Sequence, residues 1–172
     1  ICINDRPKRA KVLVLFLSEN NGGIEEILEF KTIDEYGRNN YRMPLKAIDY
    51  HKQRLKKIII ACSEKSYGDR DKFLKCVQNL FGKELADMTN VRCIKNFEDA
   101  KSVYKFLESV YSQLKQEGFI EDDIVFDVTG GQKAISIAGA MFAIPNDRHL
   151  QYVSTSDYTV KHYDLTYMQN EE

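Results

Sequence analysis

The chain has 172 residues, which suits one domain, and 43% of them are hydrophobic, enough for a sizeable core. Its net charge is -1 and its pI is about 6.4. A protein that coats DNA or RNA would usually be basic, so we expect no double-stranded nucleic acid as a partner. The overall charge does not exclude a small anionic ligand that binds in a local positive pocket.

The cysteines and histidines indicate neither a metal site nor a catalytic centre. The four cysteines form no CxxC pair and lack zinc-type spacing, so we predict no metal and no cofactor. Cys62 and Cys93 lie in apolar, strand-like runs, which favours buried, reduced thiols in a cytosolic protein. The three histidines, His51, His149 and His162, fall in different predicted elements. None is paired with a nucleophile and no two have metal-ligand spacing, so we expect each to lie at the surface or to be hydrogen-bonded.

Residues 1–10 leave two interpretations open. An apolar start is followed by a basic stretch of Arg6, Lys8, Arg9 and Lys11. Such a stretch is typical of a solvated tail or of the cytoplasmic flank of a membrane helix. The longest apolar run, 134–144, is about half of the ~20 residues that span a bilayer. We assign 1–10 to an N-terminal tail or linker from a missing segment and 11–172 to one domain.

Apolar runs alternate with helical patterns along the rest of the chain. The runs predict strands at 11–17, 57–62, 91–94, 124–128 and 150–154, and the alternating segment 158–168 predicts a terminal strand or hairpin. Helical spacing predicts helices at 24–30, from Pro44 to about 56, from Asp69 or Asp71 to 81, at 97–116 with Asn96 as N-cap, and at 134–144. Segment 31–43 reads as a short strand or an ordered loop.

This alternation predicts an α/β protein with a Rossmann-like three-layer fold. Its central sheet is mostly parallel, with strand order 3-2-1-4-5 plus a C-terminal edge strand or hairpin. Ligands in such sheets bind beyond the carboxyl ends of the strands, where the strand order reverses. Loops 18–23 and 129–133 follow the first and fourth strands, so we expect their two glycine pairs to meet in one crevice.

Loop 129–133 has the features of an anion site at a helix start. Gly130 and Gly131 let a ligand approach the backbone closely, and Lys133 adds a positive charge. Thr129 and Gln132 have the spacing of a capping box. Asp127 has the wrong charge for a phosphate ligand, and we expect it to shape the turn. The Walker A and GxGxxG patterns are absent, which argues against an NTPase or a nicotinamide enzyme.

The pattern Asp127-x-Thr129-Gly130-Gly131-x-Lys133 after a hydrophobic strand resembles the signature of CARF domains, the CRISPR-associated Rossmann-fold sensors. The resemblance covers most of the chain and implies that 11–172 is a ligand-sensing domain. It implies a sensor that binds a cyclic oligoadenylate, most simply cyclic tetra-adenylate, across a homodimer and controls an effector in type III CRISPR antiviral defence. It also implies an alternative, a stand-alone, metal-independent ring nuclease that cleaves the same messenger.

The resemblance further suggests the soluble sensor part of a membrane-anchored CARF effector. Such a domain would lie on the cytoplasmic face, tethered to the inner membrane by an N-terminal membrane segment absent from this chain. The small residues of helix 134–144 would allow the twofold mate to approach closely.

The residues that we predict to bind the ligand come from the two loops at the switch point. In the first loop, the polar side chains would bond adenine edges or ribose hydroxyls, although turn formation explains them equally well. Ser63, Glu64 and Lys65 follow the neighbouring strand and are second-rank candidates. The predicted ligand-binding set is Ser18, Glu19, Asn20, Asn21, Gly22, Gly23, Thr129, Gly130, Gly131, Gln132 and Lys133.

Overall fold

One seven-stranded sheet organises the computed structural model, which describes residues 2–4 and 9–166, with the backbone alone for 2–4, 24 and 164–166. The sheet order is β1-β7-β6-β5-β2-β3-β4. Strands β2 to β6 are mutually parallel, β7 is antiparallel to β6, and β1 is antiparallel to β7. The strands are β1 (Cys2–Asn4), β2 (Val12–Leu17), β3 (Lys57–Cys62), β4 (Thr89–Cys93), β5 (Ile124–Asp127), β6 (His149–Val153) and β7 (Val160–Thr166).

Counted from β2, the parallel strands have the predicted order 3-2-1-4-5, and β6 and β7 form the predicted C-terminal hairpin. Strand β7 is not at the edge of the sheet, because β1 pairs with its outer side. The α/β fold class is therefore confirmed. Strand β1 lies within the segment assigned to a tail, and it pairs Ile3 with Leu165. The predicted final strand extended to 168, and residues 167 and 168 lie outside the described part of the chain.

Helices cover both faces of the sheet. They are α1 (Ile24–Ile27), α2 (Arg42–His51), α3 (Glu64–Tyr67), α4 (Arg70–Phe81), α5 (Lys83–Asp87), α6 (Ala100–Gln116) and α7 (Lys133–Ala143), with 3-10 turns at Ile33–Tyr36, Glu121–Asp123 and Ile144–Asn146. Within 9–166, none of these helices is long and apolar enough to cross a membrane.

The alternation of side chains along β2 divides the core into two halves. Val12, Val14 and Phe16 pack with α6 and α7, whereas Leu13 and Leu15 pack with α2 and α4 on the opposite face. All six residues of β2 are buried, as expected for a central parallel strand covered on both sides. The three layers predicted from the sequence are therefore present.

Local details differ from the sequence predictions where another partner competes. Helix α6 begins at Ala100 with Asp99 as its cap, because the Asn96 side chain accepts a hydrogen bond from Glu98 N at 2.9 Å instead. Helix α2 begins two residues before Pro44. Segment 31–43 contains a 3-10 turn rather than a strand. Cys62 is buried as predicted, but Cys93 is exposed because it ends the edge strand β4.

Candidate functional site

The two loops that follow β2 and β5 meet at the switch point of the sheet. These strands are parallel neighbours, with Val14 opposite Phe126. Beyond them, Gly131 N donates a hydrogen bond of 2.9 Å to Ser18 Oγ, across 113 positions of sequence. Parallel neighbours end at the same edge of a sheet, so the crossovers bring these distant segments together.

The two loops approach so closely that only glycine fits at Gly130 and Gly131. A Cβ atom at Gly130 would lie 1.7 Å from the carbonyl oxygen of Phe16, closer than atoms can pack. Gly131 has φ +100°, a conformation that side chains disfavour, and a Cβ there would lie 2.3 Å from Ile135 Cδ1. The glycine pair therefore allows the β5 loop to lie directly against the end of β2.

The capping box predicted for Thr129 and Gln132 does not form. Thr129 Oγ1 accepts a hydrogen bond of 2.6 Å from Val153 N, so this side chain ties the loop to β6. Gln132 is itself the N-cap of α7, in extended conformation, and makes no side-chain capping bond. Helix α7 thus starts at Lys133, whose side chain is exposed in the first turn. A helix start without a side-chain cap is suited to an external anion.

Asp127 shapes the loop from below, as the sequence indicated. Its buried carboxylate accepts hydrogen bonds of 2.8 Å from Thr129 N and from Gln151 Nε2. Burial raises the pKa of Asp127, and the two hydrogen bonds oppose that rise.

The network continues through the core to the point where the chain enters β2. Gln151 Oε1 lies 2.6 Å from His51 Nε2, and His51 Nδ1 lies 2.9 Å from Ala10 N. Since a backbone N–H can only donate, His51 Nδ1 is the acceptor, and its Nε2 carries the proton that binds Gln151. Burial lowers the pKa of His51 to about 4, so the ring is neutral at pH 7.

Loop 18–23 has two parts: its first residues line the crevice, and its asparagines bond to the neighbouring segment 38–40. Asn20 Oδ1 accepts hydrogen bonds from Gly22 N and from Asn39 Nδ2, at 3.2 and 2.6 Å. Asn21 Oδ1 accepts one from Asn40 N at 2.8 Å. These contacts favour the turn-forming interpretation of both asparagines, since they hold the loop against 38–40.

A cleft of about 350 Å³ lies above the carboxyl ends of β2, β3 and β4. Of the predicted ligand-binding residues, Ser18, Glu19, Gly131 and Gln132 line it. The second-rank candidates Ser63, Glu64 and Lys65 line it as well. The residues Asn20, Asn21, Gly22, Gly23, Thr129, Gly130 and Lys133 are outside this lining, although Gly130 and Lys133 flank residues within it.

A third loop, which the sequence patterns did not single out, completes the cleft. Lys95, Asn96, Phe97 and Glu98 follow β4 and line the cleft together with the loops after β2, β3 and β5. The rule that loops after parallel strands share one edge would have found them, had it been applied to β4 as well as to β2 and β5. The lining is mixed in charge, and Lys65 Nζ lies 3.8 Å from Glu19 Oε1.

Within the described residues, no group of three or more His, Cys, Asp or Glu side chains could hold a metal ion. All three histidines are buried, and His149 Nε2 lies 2.9 Å from Asp122 Oδ1. The crevice presents backbone amides, serine hydroxyls, two lysines and three glutamates, so an anion would have to bind away from the carboxylates.

Comparison with known proteins places this geometry in a structural class. No protein-family model matches the chain. It is 30% identical over 177 residues to an uncharacterised protein of Aquifex aeolicus (strain VF5), covering 93% of this chain and 56% of that protein. The chain thus spans just over half the length of this relative.

Solved structures share the fold at low sequence identity. Can2 from Sulfobacillus thermosulfidooxidans, in complex with cyclic tetra-adenylate, has a TM-score of 0.58 at 11% identity, covering 87% of this chain and 33% of that one. Csm6 from Enterococcus italicus, bound to cyclic hexa-2'-fluoro-hexa-dAMP, has a TM-score of 0.58 at 12% identity, covering 87% and 35%. VC1899 from Vibrio cholerae has a TM-score of 0.53 at 9% identity, covering 87% and 32%.

These likenesses confirm a CARF-like fold for this domain, as the motif after β5 predicted. The chain spans about one third of each of these structures.

A first prediction concerns the glycine contact between the loops. Gly130→Ala should lower the free energy of unfolding by about 2 kcal/mol or more, because the new Cβ would collide with the backbone of β2. Gly23→Ala is the control, since nothing lies within 4 Å of its Cβ position, and it should change that free energy by less than about 1 kcal/mol. Urea denaturation of both variants measures the difference, and equal midpoints would contradict the close contact.

A second prediction concerns the buried His51. Because its pKa is lower in the folded state, the unfolded state binds more protons between pH 6.5 and about 4, and stability should fall as the pH falls through this range. The full effect is about 3 kcal/mol. In His51→Gln, the new amide can accept a hydrogen bond from Ala10 N and donate one to Gln151. The free energy of unfolding of this variant should therefore fall less between pH 7 and 4, by about the same 3 kcal/mol. Denaturation series from pH 7 to 4 test this, and parallel curves for both proteins would refute it.

Proposed function

We propose that this domain is a sensor that binds a cyclic oligoadenylate second messenger. The observation that carries the proposal is the meeting of Gly131 and Ser18 beside an uncapped helix start, at the switch point of a CARF-like fold. Two proteins that share this fold are bound to cyclic adenylates in their structures. A glycine loop, a helix dipole and a lysine together favour a phosphate at this place.

The two loops have different parts in this binding. The amides around Gly131 and the exposed charge of Lys133 attract a phosphate, while Asp127 and Thr129 hold the loop in shape from beneath. Ser18 and Glu19 face the same cleft and offer groups that bond to ribose or base. The tetra-adenylate ring is our choice of ligand, since a twofold ring needs one set of contacts used twice.

A homodimer forms part of the proposal. The cleft of about 350 Å³ is near the lower limit of ligand pockets, ~300–1,000 Å³, so a cyclic tetranucleotide would extend beyond one protomer. On α7, Ile137 and Met141 are 57% and 61% exposed and lie one turn apart. Met141 also lines a groove of about 440 Å³ between α6 and α7, together with Tyr104 and Ala138 among others. A twofold mate packed on this face would cover it.

We also propose which effector system this domain serves and where in the cell it works. A rearrangement of the dimer would pass the signal to an effector in type III CRISPR antiviral defence. In this proposal the domain works on the cytoplasmic face of the inner membrane, tethered by a segment that precedes it.

A stand-alone ring nuclease is the alternative, and one observation favours testing it. Glu19 belongs to the predicted switch-point loop 18–23 and lines the same cleft as Gly131. In this reaction Glu19 accepts the proton of a ribose 2′-hydroxyl as that oxygen attacks the adjacent phosphorus in line, and backbone amides stabilise the developing charge. The P–O5′ bond breaks, the 5′-oxygen takes a proton from water, and the opened ring ends in a 2′,3′-cyclic phosphate. Incubation of the protein with cyclic tetra-adenylate, without added metal, should then give linear products that Glu19→Gln abolishes. An intact ring after long incubation would exclude this alternative.

Calorimetric titration with cyclic tri-, tetra- and hexa-adenylate tests the sensor proposal. We expect the tetra-adenylate to bind most tightly, with one ring for two chains. Lys133→Ala should weaken binding about tenfold or more, as loss of a charge-assisted contact does.

Lys75→Ala is the matched control, because Lys75 is also exposed, belongs to α4 and is not among the residues that line the cleft. It should bind like the unaltered protein. Undiminished affinity of Lys133→Ala would refute the assignment of this loop, and the absence of heat with all three rings would refute the sensor function.

A further inference from the structure

The loop after β4 is anchored directly beside the glycine loop. Phe97 is buried, and its ring packs edge-on against Phe16 with 5.9 Å between centroids. A Cβ at Gly131 would lie 3.1 Å from Phe97 Cδ2, so the two loops are in contact at the floor of the cleft. Movement of either loop would disturb the other.

Residues 94–99 are held at several points around this anchor. Ile94 N donates a hydrogen bond of 2.7 Å to Cys62 O, which ties the start of the segment to β3. The side chain of Asn96 bonds to Glu98 N, and Asp99 caps α6. Lys95 therefore extends from a backbone fixed on both sides, and little backbone entropy remains to be lost when a ligand binds.

Lys95 also differs from the other lysine of the cleft in its electrostatic surroundings. The lining contains the lysines Lys65 and Lys95 and the glutamates Glu19, Glu64 and Glu98. Lys65 lies within ion-pair distance of Glu19, whereas Lys95 forms no ion pair with any residue that the structure describes. Its charge is thus free to meet an anion from solution, and an anionic ligand needs such a charge to offset the glutamates.

We propose that Lys95 binds a second phosphate of the ligand, at the β4 end of the cleft, distinct from the phosphate at loop 129–133. This inference rests on the proposed function and deepens it, because two separated anion positions select a nucleotide with several phosphates at a set spacing. Lysine acts as a point charge toward phosphate, so the contact needs charge more than a fixed hydrogen-bond geometry.

The test measures the affinity for cyclic tetra-adenylate of the full chain and three variants at two salt concentrations. Lys95→Ala should bind about tenfold more weakly at low salt, whereas Lys95→Arg, which keeps the charge, should bind nearly as the unaltered protein does. Because screening weakens exposed charge contacts, affinity should fall less steeply with salt in Lys95→Ala than in the unaltered protein. Lys75→Ala should match the unaltered protein in both respects.

The outcomes separate this inference from the sensor function. If the unaltered protein binds the ring and Lys95→Ala binds equally well with the same salt dependence, Lys95 makes no phosphate contact, and the sensor function stands. If Lys95→Arg binds the ring as weakly as Lys95→Ala does, the positive charge at this position does not account for binding, and the proposed phosphate contact is overturned. If the unaltered protein binds no ring, both proposals are overturned. Equal thermal unfolding temperatures confirm that the exposed substitutions leave the fold intact.

Discussion

The contact between Gly130 and the end of β2 is the constraint on which the site depends. Without a side chain, the β5 loop lies against the carbonyl of Phe16, and Gly131 N reaches Ser18 Oγ. That approach leaves Gln132 in extended conformation at the start of α7, without a side-chain cap. It also presses Gly131 toward Phe97, which brings the β4 loop into the same crevice. One steric requirement thus sets the positions of three loops that are distant in sequence.

Beneath this contact, a line of buried polar groups holds the site to the fold. Asp127, Gln151 and His51 bond in series and end at Ala10, where the chain enters β2. Apolar side chains could fill this space, but buried polar groups that are fully paired specify one arrangement of the backbone. In a sensor, such a line would also link the ligand loop to the start of the domain.

Sequence patterns predicted the central strands well because nearly all residues of β2 and β3 are buried and apolar. The edge strand β4 has no buried residue, and its predicted bounds, 91–94, differ from the observed Thr89–Cys93. The continuous apolar run of β2 and the boundaries of β3 required no tertiary information. Helix starts were predicted less well, because several partners compete for one side chain. Thr129 had the spacing of a cap but bonds to β6, and Asn96 forms its own turn while Asp99 caps α6. Asn20 and Asn21 likewise bond to 38–40, which the sequence left without a clear structure.

The amino-acid sequence alone determined the α/β class, the order of the five parallel strands and the place of the glycine motif. These follow from hydrophobic periodicity and from the handedness of crossovers, which are properties of the chain and its backbone. Only the tertiary structure decided which side chains face the cleft. Gly22 and Gly23 lie apart from it, and Lys95 and Phe97 enter it. The physical reason is that a loop's direction depends on what its side chains bond to across the sheet, and those partners lie tens of residues away in the sequence.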